Sequence, residues 1–260
     1  MPELPEVEHA MRRLRRAAKG RTIAAAKALH PAQRRLLPPR ALRSLVDRDV
    51  VRVERRAKIQ LMHLDDGRVV AAHFRMNGDW HIGPADRELP PYTRAWIAFT
   101  NGTRVSLVDS RALCTLRVHA NREDALPDLG PDATSDGFDA TALLEALASR
   151  RAAIKPALLD QRVVAGLGNI YAAEALWIAK VSPFTPGREI DLTTARRIVR
   201  AVRLTMKRAI GAPGRVTRSE SAERIAVYDR EGEPCRKCRT TVERAVQAGR
   251  STFYCPACQA

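Results

Sequence analysis

The first apolar pattern along the chain is helical. Val7, Met11 and Leu14 recur at intervals of three and four with arginines on the opposite side, which predicts an amphipathic helix from about Pro5 to Ala18. The periodicity then shortens. Between Thr22 and Val118, the runs VVRVERR, IQLMHL, RVVAAHF, RAWIAFT and TRVSLVD have the length and β-branched content of strands. Asp66-Gly67 and Asn101-Gly102 stand between pairs of these runs as hairpin turns. Short strands joined in this way argue for a sandwich or a barrel, and an N-terminal β-sandwich with flanking helices is expected over residues 2–120.

Residues 121–137, rich in Asp, Pro and Gly, have the composition of a linker. Helical spacing returns after them in ATALLEALASR, IKPALLDQRVV, NIYAAEALWIAK and DLTTARRIVRAVRLTMKRAI, with Gly166 and Gly168 interrupting the middle pair. A helical domain over residues 138–223 is expected, ending in a polar, arginine-bearing loop from Gly211 to Glu223. The last 37 residues, 224–260, contain Cys235-x2-Cys238 and Cys255-x2-Cys258, with 16 residues between the pairs. The fold class is therefore α+β and multidomain.

Charge narrows the partners. Forty-five Lys and Arg oppose 29 acidic residues, a net charge of +16, and such an excess is tolerated most easily against a phosphate backbone that releases counterions on contact. An arginine-rich proteome is the alternative source of that excess. No apolar run approaches the roughly 20 residues of a membrane span and no signal peptide opens the chain, so a cytoplasmic protein is expected. In a reducing compartment the paired cysteines favour a metal over disulfides or a redox pair. Cys235, Cys238, Cys255 and Cys258 have the spacing of a zinc ribbon that holds one structural Zn2+ and leaves no coordination position open. Cys114 stands alone, as a small buried hydrophobe. TVERAVQAGRSTFY has hairpin length, and Arg250 follows Gly249 at its turn. A guanidinium there either projects towards a phosphate or is simply solvated.

Three segments, in order, carry a resemblance: MPELPEVE, IKPALLDQRVVAGLGNIYAAEALW and YDREGEPCRKC…GRSTFYCPACQ. Together they resemble the formamidopyrimidine-DNA glycosylase and endonuclease VIII family over nearly the whole chain. The resemblance implies a helix-two-turn-helix unit in the helical domain and a monomer acting on damaged double-stranded DNA in the bacterial nucleoid. It further implies base excision repair, with a glycosylase that removes an oxidised base and a lyase that cuts the strand by β,δ-elimination.

Pro2, once methionine is removed, is the implied nucleophile, because a free α-amine titrates near pH 8 and is partly unprotonated at neutral pH. Glu3 is the implied proton shuttle and Glu6 a second acid of the motif, placed to complement the helix dipole as well. Lys58, on a β-hairpin, is implied to contact the phosphate next to the lesion and to assist the chemistry as a catalytic residue. His73, Lys155, Asn169 and Arg250 match further phosphate contacts, although each alone is an ordinary surface residue.

HFRMNGDW matches the loop that fills the vacated stack. Met76 is the first candidate for the wedge, with Arg75 or Asn77 assisting, and a core methionine is the competing assignment. The second wedge loop departs from the family pattern Asp-Pro-Arg-Arg-Phe-Gly. Asp109-Ser110-Arg111-Ala112-Leu113-Cys114 keeps Arg111 but has leucine in place of phenylalanine. The short loop before the ribbon leans towards endonuclease VIII, whereas MPELPEVE leans towards the formamidopyrimidine enzymes; the loop places oxidised pyrimidines, formamidopyrimidines and abasic sites ahead of 8-oxoguanine. A DNA-binding protein without catalysis shares the charge and the metal but needs no proline amine beside Glu3.

Overall fold

Helix α1 (Leu4–Ala18) starts where the sequence has Pro5 in its first turn, and a capping box between Glu3 and Glu6 closes its N-terminus. Its Val7, Met11 and Leu14 are buried as the spacing requires. The computed structural model describes residues 1–212 and 225–260. These form two units, Met1–Pro127 and Asp128–Ala260.

In the first unit, β1 (Ile23–Ala28), β5 (Asp79–Pro84), β6 (Thr93–Phe99) and β7 (Thr103–Val108) make one antiparallel sheet in the order β1-β6-β7-β5. A second sheet has the order β2-β3-β4-β8, from β2 (Val50–Arg56), β3 (Ile59–Leu64), β4 (Val69–His73) and β8 (Thr115–His119). The inner faces meet α1 in one apolar core that includes Met11, Leu14, Val53, Met62, Trp80, Ile97 and Leu107. Both expected Gly turns are present, with Gly67 at φ 86° and Gly102 at φ 80°, conformations that glycine adopts without a Cβ penalty.

Two short helices, α2 (Pro31–Leu36) and α3 (Pro39–Arg43), interrupt the strand region. Each has a proline in its first turn, where the missing N–H costs nothing. The expected linker contains α4 (Arg122–Ala125), capped by the Asn121 side chain on the Asp124 N–H at 2.8 Å. Ala125 packs on Leu61, Val69 and Ala71, which explains why β3 and β4 are apolar on both faces.

The second unit contains α5 (Ala140–Leu147), α6 (Ile154–Leu159), α7 (Asn169–Ala179) and α8 (Leu192–Gly211), followed by the hairpin β9 (Glu243–Gln247) and β10 (Arg250–Tyr254). The expected helix IKPALLDQRVV is corrected: it stops at Leu159. Asp160 turns its carboxylate onto the Arg162 N–H at 3.0 Å, a local bond that competes with helix continuation. The expected loop from Gly211 to Glu223 lies, apart from Gly211 and Ala212, outside the described residues. Among the described residues, no helix is long and apolar enough to cross a membrane.

Candidate nucleic-acid interface and active site

In the first unit the residues that follow the exposed Met1 are enclosed. Pro2 is buried and Glu3 is 2% exposed, at the N-terminal end of α1. The Glu3 N–H donates to Glu6 Oε2 at 2.8 Å, so Glu6 acts on the backbone that carries Pro2 rather than standing free beside it. Lys58 follows Ala57 in the two-residue turn between β2 and β3, where Arg56 pairs with Ile59. It is 7% exposed, unusual for a lysine unless it has partners.

His73 ends β4, paired with Ile59 across the sheet. Its Nδ1 accepts the Arg75 N–H at 2.9 Å, which leaves Nε2 to carry the proton of the neutral ring. Burial pushes its pKa down to about 4, assisted by the positive charges of Arg75 and Lys58. The imidazole is therefore an uncharged donor at neutral pH.

Beyond His73 the chain makes a tight loop closed by the Gly78 N–H on Phe74 O at 2.9 Å. A Cβ at Gly78 would lie 2.8 Å from both the Cα and the O of Phe74, so only glycine fits there. Phe74 is buried edge-on against Trp80 with centroids 6.0 Å apart, and the loop thereby leaves Arg75, Met76 and Asn77 outside. Met76 is 40% exposed, a poor candidate for a core residue.

The second loop is built on Asp109. Its buried carboxylate accepts N–H groups from Arg111 at 3.0 Å, Leu113 at 2.7 Å and Cys114 at 2.8 Å. Ala112 adopts φ 55° and Leu113 is left 50% exposed, beside an exposed Arg111. Asn77 Nδ2 donates to Ser110 Oγ at 2.7 Å and staples the two loops together. In the sequence Leu113 stands out only as a departure from the family pattern, and Asp109 has no assigned role. An apolar side chain at the position of the family's phenylalanine was the available signal for the first. Burial raises the Cys114 thiol to about 12, with Asp109 adding to it, so that sulfur stays protonated and inert.

In the second unit Asn169 is the first residue of α7, after Gly166 at φ 99° and Gly168 as N-cap. Arg250 is exposed immediately after the Ala248-Gly249 turn, both of whose residues have positive φ as a tight two-residue hairpin requires. Lys155, a phosphate contact by resemblance, is 0% exposed. Its Nζ donates to Asn169 Oδ1 at 2.7 Å, Thr252 Oγ1 at 2.8 Å and Ser251 O at 3.0 Å. Asn169 Nδ2 also donates to Ser251 O at 3.0 Å. The ammonium thus fixes which way the Asn169 amide faces and joins it to the strand that begins with Arg250.

Glu174, also unremarked in the sequence, is buried in α7 and accepts N–H groups from Ala226, Val227 and Tyr228 at 2.8, 2.9 and 2.9 Å, tying the helix to the start of the tail. The four Sγ atoms of Cys235, Cys238, Cys255 and Cys258 lie within 4.8 Å of one another. The Cys238–Cys255, Cys238–Cys258 and Cys235–Cys258 separations of 3.4, 3.5 and 4.0 Å suit the tetrahedral edge of about 3.8 Å set by Zn–S bonds of ~2.3 Å. The donor set fits one metal ion.

Three family models cover the chain: the formamidopyrimidine-DNA glycosylase N-terminal domain over residues 1–116, its H2TH domain over 129–221, and a zinc finger found in FPG and IleRS over 232–260. A formamidopyrimidine-DNA glycosylase of Chloroflexus aggregans is 38% identical, over 100% of this chain and 98% of its own length.

The chain belongs to the formamidopyrimidine-DNA glycosylase family.

Among solved structures of that family, the MutM (FPG) protein from Thermus thermophilus has a TM-score of 0.87 at 36% identity, covering 99% of this chain and 98% of its own. A complex between the Lactococcus lactis Fpg and an abasic site containing DNA has a TM-score of 0.89 at 27% identity, covering 99% of each chain. The family's three parts coincide with the sandwich, the helices α5–α8 and the cysteine tail described above.

Proposed function

We propose that this chain is a base excision repair enzyme, a DNA glycosylase with abasic-site lyase activity, working through Pro2. The observation that carries this is the pair of ionisable side chains enclosed in one unit: Glu3 next to Pro2, and Lys58 in a hairpin turn beside His73. Enclosed ionisable groups gathered near a nucleophile support a catalytic reading of the site.

The Pro2 nitrogen, freed by removal of Met1, attacks C1′ of the damaged nucleotide, and the base departs with a proton. Glu3 is placed to move protons at the sugar ring. After the N–H proton is lost, the nitrogen lone pair forms the C1′=N bond as the C1′–O4′ bond breaks and O4′ takes a proton from Glu3. The product is a cationic iminium because a secondary amine has no second N–H to lose. That cation acidifies the C2′ hydrogen, whose loss expels the 3′ phosphate, and a second elimination releases the 5′ phosphate.

Lys58 and the neutral His73 bind phosphate oxygens near the lesion, one as a point charge and one as a dipole. Asn169 and Arg250 contribute donors from the second unit, with Lys155 behind them. Met76, Leu113 and Arg111 enter the stack once the nucleotide leaves it, at a cost of a few kcal/mol in unstacking. The protein is a cytoplasmic monomer, and formamidopyrimidines, oxidised pyrimidines and abasic sites lead its substrates. The short loop that favours them over 8-oxoguanine lies outside the described residues.

Borohydride reduction during reaction with duplexes carrying one defined lesion tests this. A covalent adduct is expected with the parent protein, and mass spectrometry should place it on Pro2. Pro2→Gly and Glu3→Gln should lose most incision. Full incision by a protein that retains Met1 would overturn the Pro2 assignment, and selective excision of 8-oxoguanine opposite cytosine would overturn the substrate order.

A further inference from the structure

The motif MPELPEVE ends in Glu8, which no part of the chemistry above uses. Glu8 sits on α1, just over one turn beyond Leu4, and its carboxylate is engaged on both oxygens. Oε1 accepts Arg12 Nε at 2.9 Å and Oε2 accepts Arg55 Nε at 2.9 Å. Burial works to raise the Glu8 carboxyl, but bonds and charge from Arg55 and Arg12 outweigh it and hold the group below the ordinary carboxylate range.

Arg55 is the more informative partner. Its side chain is only 9% exposed, and its Nη1 donates to Ala57 O at 2.9 Å. Ala57 adopts φ 54°, a left-handed conformation that a non-glycine residue holds only against a cost of roughly 1–2 kcal/mol. The next residue is Lys58. One guanidinium therefore bridges the helix that begins beside Glu3 and the carbonyl that precedes Lys58.

We infer that Glu8 and Arg55 are positioning residues that set the distance between the Pro2–Glu3 end of α1 and the Lys58 ammonium. Glu8 holds Arg55 by a charge-assisted bond. Arg55 in turn holds the left-handed turn, which fixes the direction in which Lys58 leaves the backbone. An arginine suits this because its planar fork reaches two acceptors at once with fixed geometry, whereas a lysine reaches one direction at a time. Neither residue touches the substrate.

The inference rests on the Pro2 chemistry above, and the test separates the two. The mature zinc-loaded protein, Glu8→Gln, Arg55→Lys, Lys58→Met and the double variant Glu8→Gln/Lys58→Met are compared in two measurements. One is the single-turnover rate of borohydride-trapped adduct formation on an abasic-site duplex. The other is the Kd for a duplex carrying a tetrahydrofuran abasic analogue.

Glu8→Gln and Arg55→Lys are each expected to slow trapping about tenfold or more, as misplacement of a positioning group does, with Kd weakened by clearly less than that factor because the Lys58 phosphate contact is one of several. Glu8→Gln should add nothing to the residual rate of Lys58→Met, because both act through the same ammonium. Parent-like trapping by both Glu8→Gln and Arg55→Lys overturns the inference. So does a Glu8→Gln loss that persists in full on the Lys58→Met background. Absence of an adduct with the parent protein would instead strike the Pro2 assignment itself. Should Glu8→Gln fail to fold, Arg55→Lys, which keeps a cation beside Glu8, decides alone.

Discussion

At the scale of single residues, the contacts that matter are those a sequence conceals. A lysine is most often solvated, and Lys155 gave no sign of being enclosed, because two of its three acceptors come from residues 96 and 97 positions away. The Pro2–Glu3–Glu6 motif was legible by resemblance, but the bond that makes Glu6 a brace for the Glu3 backbone was not. His73 shows how burial changes a role. Its pKa of about 4 lies below the ordinary 6.5, so an unfolded chain takes up a proton between those values that the folded protein refuses. Stability from this residue is full above about pH 6.5 and falls as the pH drops towards 4, by about 3 kcal/mol at most. His73→Gln is expected to flatten that part of the profile of Tm against pH. A profile as steep as the parent's would assign the acid sensitivity elsewhere.

At the scale of elements, the strands that announced themselves were those rich in β-branched, aromatic or other large apolar residues. β2, β3, β4, β6 and β7 fall where the runs placed them. β1 is IAAAKA and β5 is DWHIGP, and neither has a composition that favours a strand; both are recruited by neighbours, β1 by β6 and β5 by β7. α4 escaped notice because four residues carry no periodicity, and its place is fixed by the apolar surface of Leu61, Val69 and Ala71. The two exposed loops behave as one element, since Asn77 and Ser110 join them and Gly78 fixes the turn of the first. Gly78→Ala is expected to lower stability by roughly 1–3 kcal/mol, because the new methyl meets backbone atoms that cannot swing aside. Excision from duplexes should fall more than cleavage of an abasic site in single-stranded DNA, which requires no wedge. Thermal melts and paired incision assays on the two substrates check both expectations.

At the scale of the whole molecule, the charge of +16, the four-cysteine tail and the three family segments were all readable in the sequence, because each depends on residue type and spacing rather than on distant packing. The bonds that tie Lys155 and Asn169 to the tail were not readable. Stripping the metal with a chelator is expected to weaken binding of a tetrahydrofuran-containing duplex at least roughly tenfold, the size of one charge-assisted contact. The circular dichroism of α5–α8 should be largely kept. Undiminished binding by demonstrably metal-free protein would refute that dependence. The buried ammonium of Lys155 makes the coupling direct: its acceptors Thr252 and Ser251 belong to the strand that runs into Cys255. An oxidant that attacks the thiolates thus does more than loosen a distal knuckle. It deprives a cation inside the neighbouring helices of its hosts, so the stress that creates lesions also erodes the grip of the enzyme sent to remove them.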